Sequence, residues 1–168
     1  MNVETIRSLF DYHIWANNQV WSCVESLTDE QFTQEDDYSI SSVHNQTFHL
    51  MQTDWSSAYF LKHGTWPGPD APDAVKKEEY TARAAIRRKW DDVEGWLRQA
   101  GETLTDEQLQ TVIPLPAGDG QTFDVSLWEL LYTIINHGTN HRAQILALIK
   151  KLGGETVEQG IYFYYMQR

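Results

Sequence analysis

Four long segments of the chain carry apolar residues at the three- and four-residue spacing of an amphipathic helix. They cover residues 3–26, 42–62, 75–100 and 126–152. A helix of about 22 residues is about 33 Å long, and four of that length can enclose one core. The pattern therefore predicts an all-α four-helix bundle that forms a single domain over residues 1–168.

Capping and turn residues support these boundaries. A Ser, Thr, Asp or Asn before a helix and a Gly after it are typical of helix starts and stops. The residues in question are Ser41 or Ser42, Gly64, Gly101, Ser126 with Glu129, and Gly153. Residues 113–123 are predicted to form a small hairpin around Gly118-Asp119-Gly120, and residues 63–72 a Pro/Gly-rich crossover. A repeated LTDEQ, at 27–31 and 104–108, places Thr three residues before Gln, as in a capping box.

Composition narrows the range of partners and compartments. The chain has 24 acidic and 13 basic residues and a formal net charge of −11, which disfavours binding to nucleic acid or to anionic membranes. Cys23 is the only cysteine, so a disulfide framework is excluded, and its simplest role is a buried apolar residue. Because no secretory signal or membrane-length apolar run is visible, we expect a cytoplasmic protein.

The strongest candidate for chemistry is the pair His137 and His141 in the last helix. Residues four apart lie about 40° apart around a helix, on successive turns. The two histidines share a stripe whose other members are all Leu or Ile: Leu127, Leu130, Ile134, Ile145, Leu148 and Leu152. Burying two unpaired imidazoles costs several kcal/mol, on the order of the transfer values for polar groups. A metal ion bound by both rings would offset much of this cost, and hydrogen bonds within the core are the alternative.

Spacing alone leaves the roles of three further residues open. His49 lies in the second helix with polar neighbours one turn away, so it is either a solvated surface residue or a third ligand from a second helix. Three imidazoles would leave a coordination position open for water or substrate, and zinc, nickel, iron or manganese would suit them. His13 and Asn17 lie near the core face of the first helix. They are candidates either for the core or for the lining of a pocket.

Several familiar chemistries are excluded by spacing. Gly138 follows the first histidine where a zinc protease of the HExxH type would carry its Glu base. The chain has no Glu-x-x-His pair for a di-iron centre, no CxxCH for covalent haem, and no phosphate-binding or dinucleotide-binding glycine loop.

The chain resembles the DinB family, in its DinB/YfiT-like group, over nearly its whole length. The resemblance rests on LFDYHIWANNQV (9–20), SSVHNQTFHLM (41–51), the Trp90-Asp91 region and above all NHGTNHRAQILALIKKLGG (136–154). The aromatic tail TVEQGIYFYY (156–165) adds to it. The resemblance implies a four-helix bundle, commonly homodimeric, that binds one divalent metal ion through His49, His137 and His141.

Characterised members of the family include thiol S-transferases that use low-molecular-weight thiols. The resemblance therefore implies a metal-dependent enzyme that joins a small thiol to an electrophile, with zinc or nickel as the favoured ion and iron or manganese as alternatives. The other hypothesis is a non-catalytic, stress-related bundle that binds a metal or another ligand. The catalytic residues, the thiol and the electrophile are not identified by the sequence.

Overall fold

The computed structural model describes residues 1–117 and 119–167 and shows a mostly helical protein with one small sheet. The two strands are β1 (Val112–Pro116) and β2 (Thr122–Ser126). Short 3-10 turns occur at Lys77–Glu79 and Gln108–Gln110. The helices are α1 (Val3–Glu25), α2 (Asp29–Thr33), α3 (Val43–His63), α4 (Arg83–Thr103), α5 (Leu127–Lys151) and α6 (Ile161–Tyr165).

Most of the predicted helix ends are confirmed by hydrogen bonds. Of the two serines considered, Ser42 caps α3, and its Oγ accepts a hydrogen bond from the backbone N–H of Asn45 at 3.1 Å. Gly64 ends α3 in the left-handed region, with φ 71°, where a residue without Cβ is favoured. Ser126 and Glu129 form the predicted capping box of α5.

The repeated LTDEQ segment caps a short helical turn in both places. Thr28 and Gln31 form a reciprocal capping box at the start of α2. At the second copy, the Gln108 side chain accepts from the Thr105 N–H at 2.9 Å, and the Thr105 hydroxyl accepts from the Gln108 N–H at 3.3 Å. The same local sequence therefore forms the same pair of hydrogen bonds.

The predicted bounds of the third long helix are wrong at both ends. The helix begins at Arg83 rather than at residue 75, because residues 75–82 form an irregular segment with a 3-10 turn. At the other end Gly101 does not stop the helix, which continues to Thr103. The side chain of Arg7 donates to the carbonyls of Gly101 and Glu102, at 2.7 and 3.0 Å. These bonds satisfy carbonyls that lack a partner at the end of a helix.

The predicted hairpin is present and leads directly into α5. β1 and β2 pair antiparallel, from Val112 opposite Ser126 to Pro116 opposite Thr122, although Gly118 of the predicted turn lies outside the described residues. The indole N–H of Trp66 donates to the Pro114 carbonyl at 2.9 Å. The hairpin is thereby tied to the crossover that follows α3.

Each long helix packs against two others. α1 and α3 both contact α4 and α5, and the predicted apolar face of α4 (Ile86, Trp90, Val93 and Leu97) is buried in the shared core. The aromatic tail packs on α1 through Tyr164, whose ring centroid lies 5.6 Å from that of Trp15. None of the described helices is both long and apolar enough to cross a membrane.

Candidate metal centre

His137 and His141 project from one side of α5 on successive turns, as their spacing predicts. Their ring centroids are 4.3 Å apart. His141 is buried and His137 is half-buried. The rest of the predicted aliphatic stripe is also buried, except for Leu152 near the end of the helix. The two imidazoles therefore replace aliphatic side chains on the inward face of α5.

His49 reaches the same place from α3. Its Nε2 lies 3.2 Å from Nε2 of His137, and its ring centroid lies 4.6 Å from that of His141. One nitrogen from each of the three rings falls within 4.8 Å of the others. The face of His49, which spacing left open, is thus directed at α5 rather than at solvent.

The three histidines fit a single metal ion. Two nitrogens bound at about 2.0–2.1 Å lie about 2.9 Å apart at a right angle and about 3.4 Å apart at the tetrahedral angle. The 3.2 Å between the His49 and His137 nitrogens lies within that range. Imidazole donors suit zinc, copper, iron and nickel. The three imidazole donors and the spacing of this pair are therefore compatible with a divalent transition metal.

Burial keeps the three rings in the neutral form that metal binding needs. Desolvation lowers the pKa of His49, and the nearby carboxylate of Asp54 opposes this effect only in part. The pKa of His137 falls to about 4, first through desolvation and then through the proximity of His141 and His49. Desolvation also lowers the pKa of His141. At neutral pH each ring therefore keeps a lone pair available.

Gln46 of α3 orients the His141 ring. The Oε1 atom of Gln46 lies 2.7 Å from Nδ1 of His141, and its amide nitrogen donates to Oε1 of Gln144 at 2.9 Å. Since the Gln46 oxygen can only accept, Nδ1 of His141 carries the proton and Nε2 is left free. In contrast, Nδ1 of His137 is buried without a hydrogen-bond partner. The described chain therefore fixes the tautomer of one ligand candidate and not of the other.

His13 and Asn17 lie behind this centre, in a buried polar network. His13 is 0% exposed and contacts Asp54 Oδ2 at 3.0 Å and an Arg142 Nη atom at 3.1 Å. The same Arg142 nitrogen donates to Asn17 at 2.8 Å. Since arginine only donates, His13 accepts through Nδ1 and donates through Nε2 to Asp54. Of the two alternatives for His13 and Asn17, the structure shows core residues, and neither lines the cleft described below.

Asp54 joins this network to a fourth helix. Its Oδ2 also accepts from the indole N–H of Trp90 in α4 at 3.0 Å. Sequence reasoning missed Asp54, Gln46 and Arg142. A signal existed for Asp54, because it is a charged residue in an apolar stripe that includes Met51 and Ala58. The contacts of Gln46 and Arg142 join residues 95 and 129 positions apart, and nothing in the local pattern indicates them.

Two other histidines stand apart from the centre. His44 is half-buried. Its ring packs edge-on against Phe32, and its Nε2 lies 2.8 Å from the Tyr80 carbonyl. His63 is exposed at the end of α3, and its ring lies on that of Tyr59.

A cleft of about 450 Å³ opens beside two of the three histidines. We call it the histidine cleft. α3 and α5 form its sides, and the crossover and β1 close one end through Trp66, Pro67 and Leu115. His49 and His137 belong to its wall. A small molecule in this cleft would therefore lie next to an ion held by the histidines.

A mostly helical fold with three imidazoles from two packed helices, beside a cleft, defines a candidate histidine-based metalloprotein. The chain belongs to the DinB family, whose family model matches residues 1–166. It is 22% identical over 165 residues to "Protein DinB" of Bacillus subtilis (strain 168), covering 93% of this chain and 92% of that protein.

Solved structures show the same fold. A DinB-like protein from Bacillus cereus has a TM-score of 0.68 at 18% identity, with 94% of this chain and 97% of that one covered. A DinB-like protein from Bacillus subtilis has a TM-score of 0.67 at 16% identity, with 89% and 95% covered. A conserved protein from Enterococcus faecalis has a TM-score of 0.67 at 14% identity, with 89% and 96% covered.

Proposed function

We propose that this protein binds one divalent metal ion through His49, His137 and His141 and uses it to transfer a small thiol to an electrophile. The observation that carries the proposal is the convergence of three neutral imidazoles beside the histidine cleft. Zinc and nickel are the favoured ions, and iron and manganese are alternatives. The scaffold we propose is a four-helix bundle of α1, α3, α4 and α5, supported by the contacts that each makes with two others.

An ion held there would supply Lewis acidity, which lowers the pKa of a coordinated thiol. The protein supplies three neutral donors and, through Gln46, a fixed orientation for His141. A cleft that borders His49 and His137 would hold the electrophile next to the thiol. The thiol gives its proton to water, and its sulfur forms a bond to the electrophilic carbon. The bond from that carbon to its leaving group breaks, and the leaving group departs with the electron pair.

Metal content tests the first half of the proposal. Protein purified without a metal-affinity step is examined by elemental analysis beside His137→Ala and His141→Ala variants. His63→Ala is the matched control, because His63 is an exposed histidine at the end of α3. We expect close to one ion per chain in the native protein and in the control, and a large loss in the two variants. Equal and negligible metal in all four would refute the site.

A turnover assay tests the second half of the proposal, the transfer of a thiol to an electrophile. The metal-loaded protein is mixed with several low-molecular-weight thiols and a chromogenic aromatic halide, and the thioether is followed by absorbance. We expect product formation that disappears with a chelator and returns with added metal. Absence of metal-dependent product with every thiol would remove the transferase function while leaving the metal site standing.

A non-catalytic binding role is the second candidate. Apart from its histidines, the cleft wall contains no acid or base among the described residues that line it. Any proton transfer must therefore involve the ion or solvent. This composition suits a protein that captures a metal or a small ligand, in a stress response for example. A bound ion with no exchangeable water position, as judged by water relaxation of a paramagnetic substitute, would favour this role.

We further propose that the protein is a cytoplasmic homodimer that binds neither nucleic acid nor membranes. The negative net charge supports the exclusion of polyanionic partners. Exposed large hydrophobic residues of α6 and beyond, with Tyr162 at 66% and Met166 at 67% exposure, offer an apolar surface for a second copy.

A further inference from the structure

The histidine cleft has an unusual wall for so acidic a protein. Its apolar members include Trp55, Trp66, Leu115, Leu130 and Ile134, and its polar members beside the two histidines are hydroxyl and amide side chains. No Asp, Glu, Lys or Arg is among the described residues that line it, although the chain carries 37 such residues, 24 acidic and 13 basic. The cleft is therefore an uncharged surface within a charged one.

This composition decides which occupants are favoured. In the protein without the ion, a carboxylate or phosphate entering the cleft would lose hydration without gaining a cationic partner from the wall, and burying an uncompensated charge is costly. The net charge of −11 also opposes the approach of anions. An organic cation would find no carboxylate in the wall. A neutral molecule loses little hydration and covers apolar surface, which is favourable.

The aromatic part of the wall is held in place before any ligand arrives. Trp66 stacks on Phe60, with ring centroids 4.6 Å apart and an interplanar angle of 26°. Its indole N–H donates to the Pro114 carbonyl. Because both its ring and its polar edge are fixed, Trp66 loses little conformational freedom when a second ring packs against it. Offset stacking of aromatic rings adds about 0.5–1.5 kcal/mol to simple burial.

We propose that the histidine cleft binds a neutral aromatic molecule, and that this molecule is the electrophile of the reaction. The volume of about 450 Å³ suits one compact organic molecule, within the usual range of small-molecule pockets. The identification of this molecule as the electrophile rests on the proposed transferase function. The selectivity against anions is a property of the cleft wall and is stated for the protein without the ion, because a bound divalent cation would itself attract a carboxylate.

The selectivity is tested with matched probes on protein stripped of metal by a chelator. Benzamide and benzoate share size and ring and differ in charge, and cyclohexanecarboxamide keeps the amide but lacks the aromatic ring. Binding is followed by two-dimensional NMR of the indole N–H groups. We expect benzamide to shift the Trp66 signal and to bind at least tenfold more tightly than benzoate. We also expect it to bind several-fold more tightly than the cyclohexane amide.

Two lysine variants test whether the preference for the neutral probe arises in the cleft. Thr133→Lys places a cation at an exposed residue of the cleft wall and should reduce or invert the preference for benzamide over benzoate. Ala147→Lys, at an exposed position of the same helix outside the cleft, adds the same charge and should leave the preference unchanged.

Equal binding of the two aromatic probes, tighter binding of benzoate, or no binding of benzamide would overturn the proposal. So would an equal response of the two lysine variants. A failure of metal binding or turnover would instead refute the proposed function, because the probes are measured without the ion. The two failures are therefore distinguishable.

Discussion

Gly138 lies between the two histidines of α5, against the His13 side chain of α1. A Cβ atom at this position would lie 2.3 Å from Cε1 and 2.7 Å from Nδ1 of His13, and 2.8 Å from an Arg142 Nη atom. A Cβ atom does not approach other heavy atoms this closely, so a single added methyl group must displace the His13 ring and the Arg142 guanidinium or shift the helix. We therefore expect Gly138→Ala to destabilise the protein.

The magnitude follows from two opposing terms. Replacing Gly with Ala inside a helix gains about 1 kcal/mol from propensity. Against this, His13 is completely buried and held through both ring nitrogens, by Asp54 and by Arg142. Forcing extra volume into such a site costs about 1–3 kcal/mol, and losing a hydrogen bond to a charged partner costs about 1.5–3 kcal/mol. The net loss is about 1.5–5 kcal/mol.

Urea unfolding of metal-depleted protein measures this loss without a contribution from bound metal. Gly95→Ala is the matched control, because Gly95 lies within α4 and its Cβ would meet nothing within 4 Å. It should stabilise the protein by about 1 kcal/mol, the helix-propensity gain alone. In a His13→Ala background the ring is gone and the guanidinium of Arg142 can move aside. There Gly138→Ala should cost little or become stabilising.

A Gly138→Ala variant as stable as Gly95→Ala would refute the reasoning, because it would show that His13 does not pack against this glycine. An equal loss of stability with and without the His13 ring would show that the cost of the added methyl group does not come from its clash with His13.

The remaining predictions concern a buried acid, a positioning residue and assembly. Burial raises the pKa of Glu94 from 4.5 to about 7, so the folded protein holds this proton more tightly than the unfolded chain does. The free energy of unfolding should therefore fall by about 3 kcal/mol as the pH rises from below 4.5 to above 7. Glu94→Gln should lack this decline in urea midpoints measured across that range, and parallel curves would contradict the assignment. Gln46→Leu should weaken zinc binding about 10–100-fold, measured in competition with a chromogenic chelator. Gln52→Leu, on the same helix, should leave zinc affinity unchanged. Equal zinc affinities of the two variants would show that Gln46 does not position His141. Light scattering should give twice the chain mass at working concentration, and a strict monomer would rule out the proposed homodimer.

The helices and one half of the candidate site could be predicted because both depend on local periodicity. His137 and His141 interrupt an aliphatic stripe, and burial of that stripe follows from its spacing. The inward face of His49 could not be predicted in this way, because its neighbours one turn away, Asn45 and Thr53, are polar. Thr53 lines the histidine cleft. A helix face that borders a ligand cleft carries the same polar residues as one that faces water, so periodicity cannot separate them.

The start of α4 was misplaced for a related reason. The segment 75–82, before Arg83, contains residues with good helix propensity, but its two hydrophobic side chains that pack on the core, Val75 and Tyr80, lie five positions apart, which is not the spacing of one helix face. In proteins the stability of a helix comes mainly from the packing of its apolar face. Helix propensity alone therefore extended the prediction beyond the part of the segment that the core supports.

Asp54 links the candidate metal centre to the rest of the fold. Its carboxylate, on α3, accepts from His13 of α1 and from Trp90 of α4, and His13 in turn accepts from Arg142 of α5. One buried carboxylate therefore connects all four long helices, including the two that carry the three clustered histidines. Buried charges of this kind add little net stability, but they penalise every arrangement in which their partners are separated. Arg142 directly follows His141, so the network that fixes α1 against α5 also fixes the turn of α5 from which that imidazole projects. We infer that the geometry of the histidines is set by this polar network as much as by the apolar core, which explains why a charged group lies in the stripe where the pattern calls for an aliphatic one.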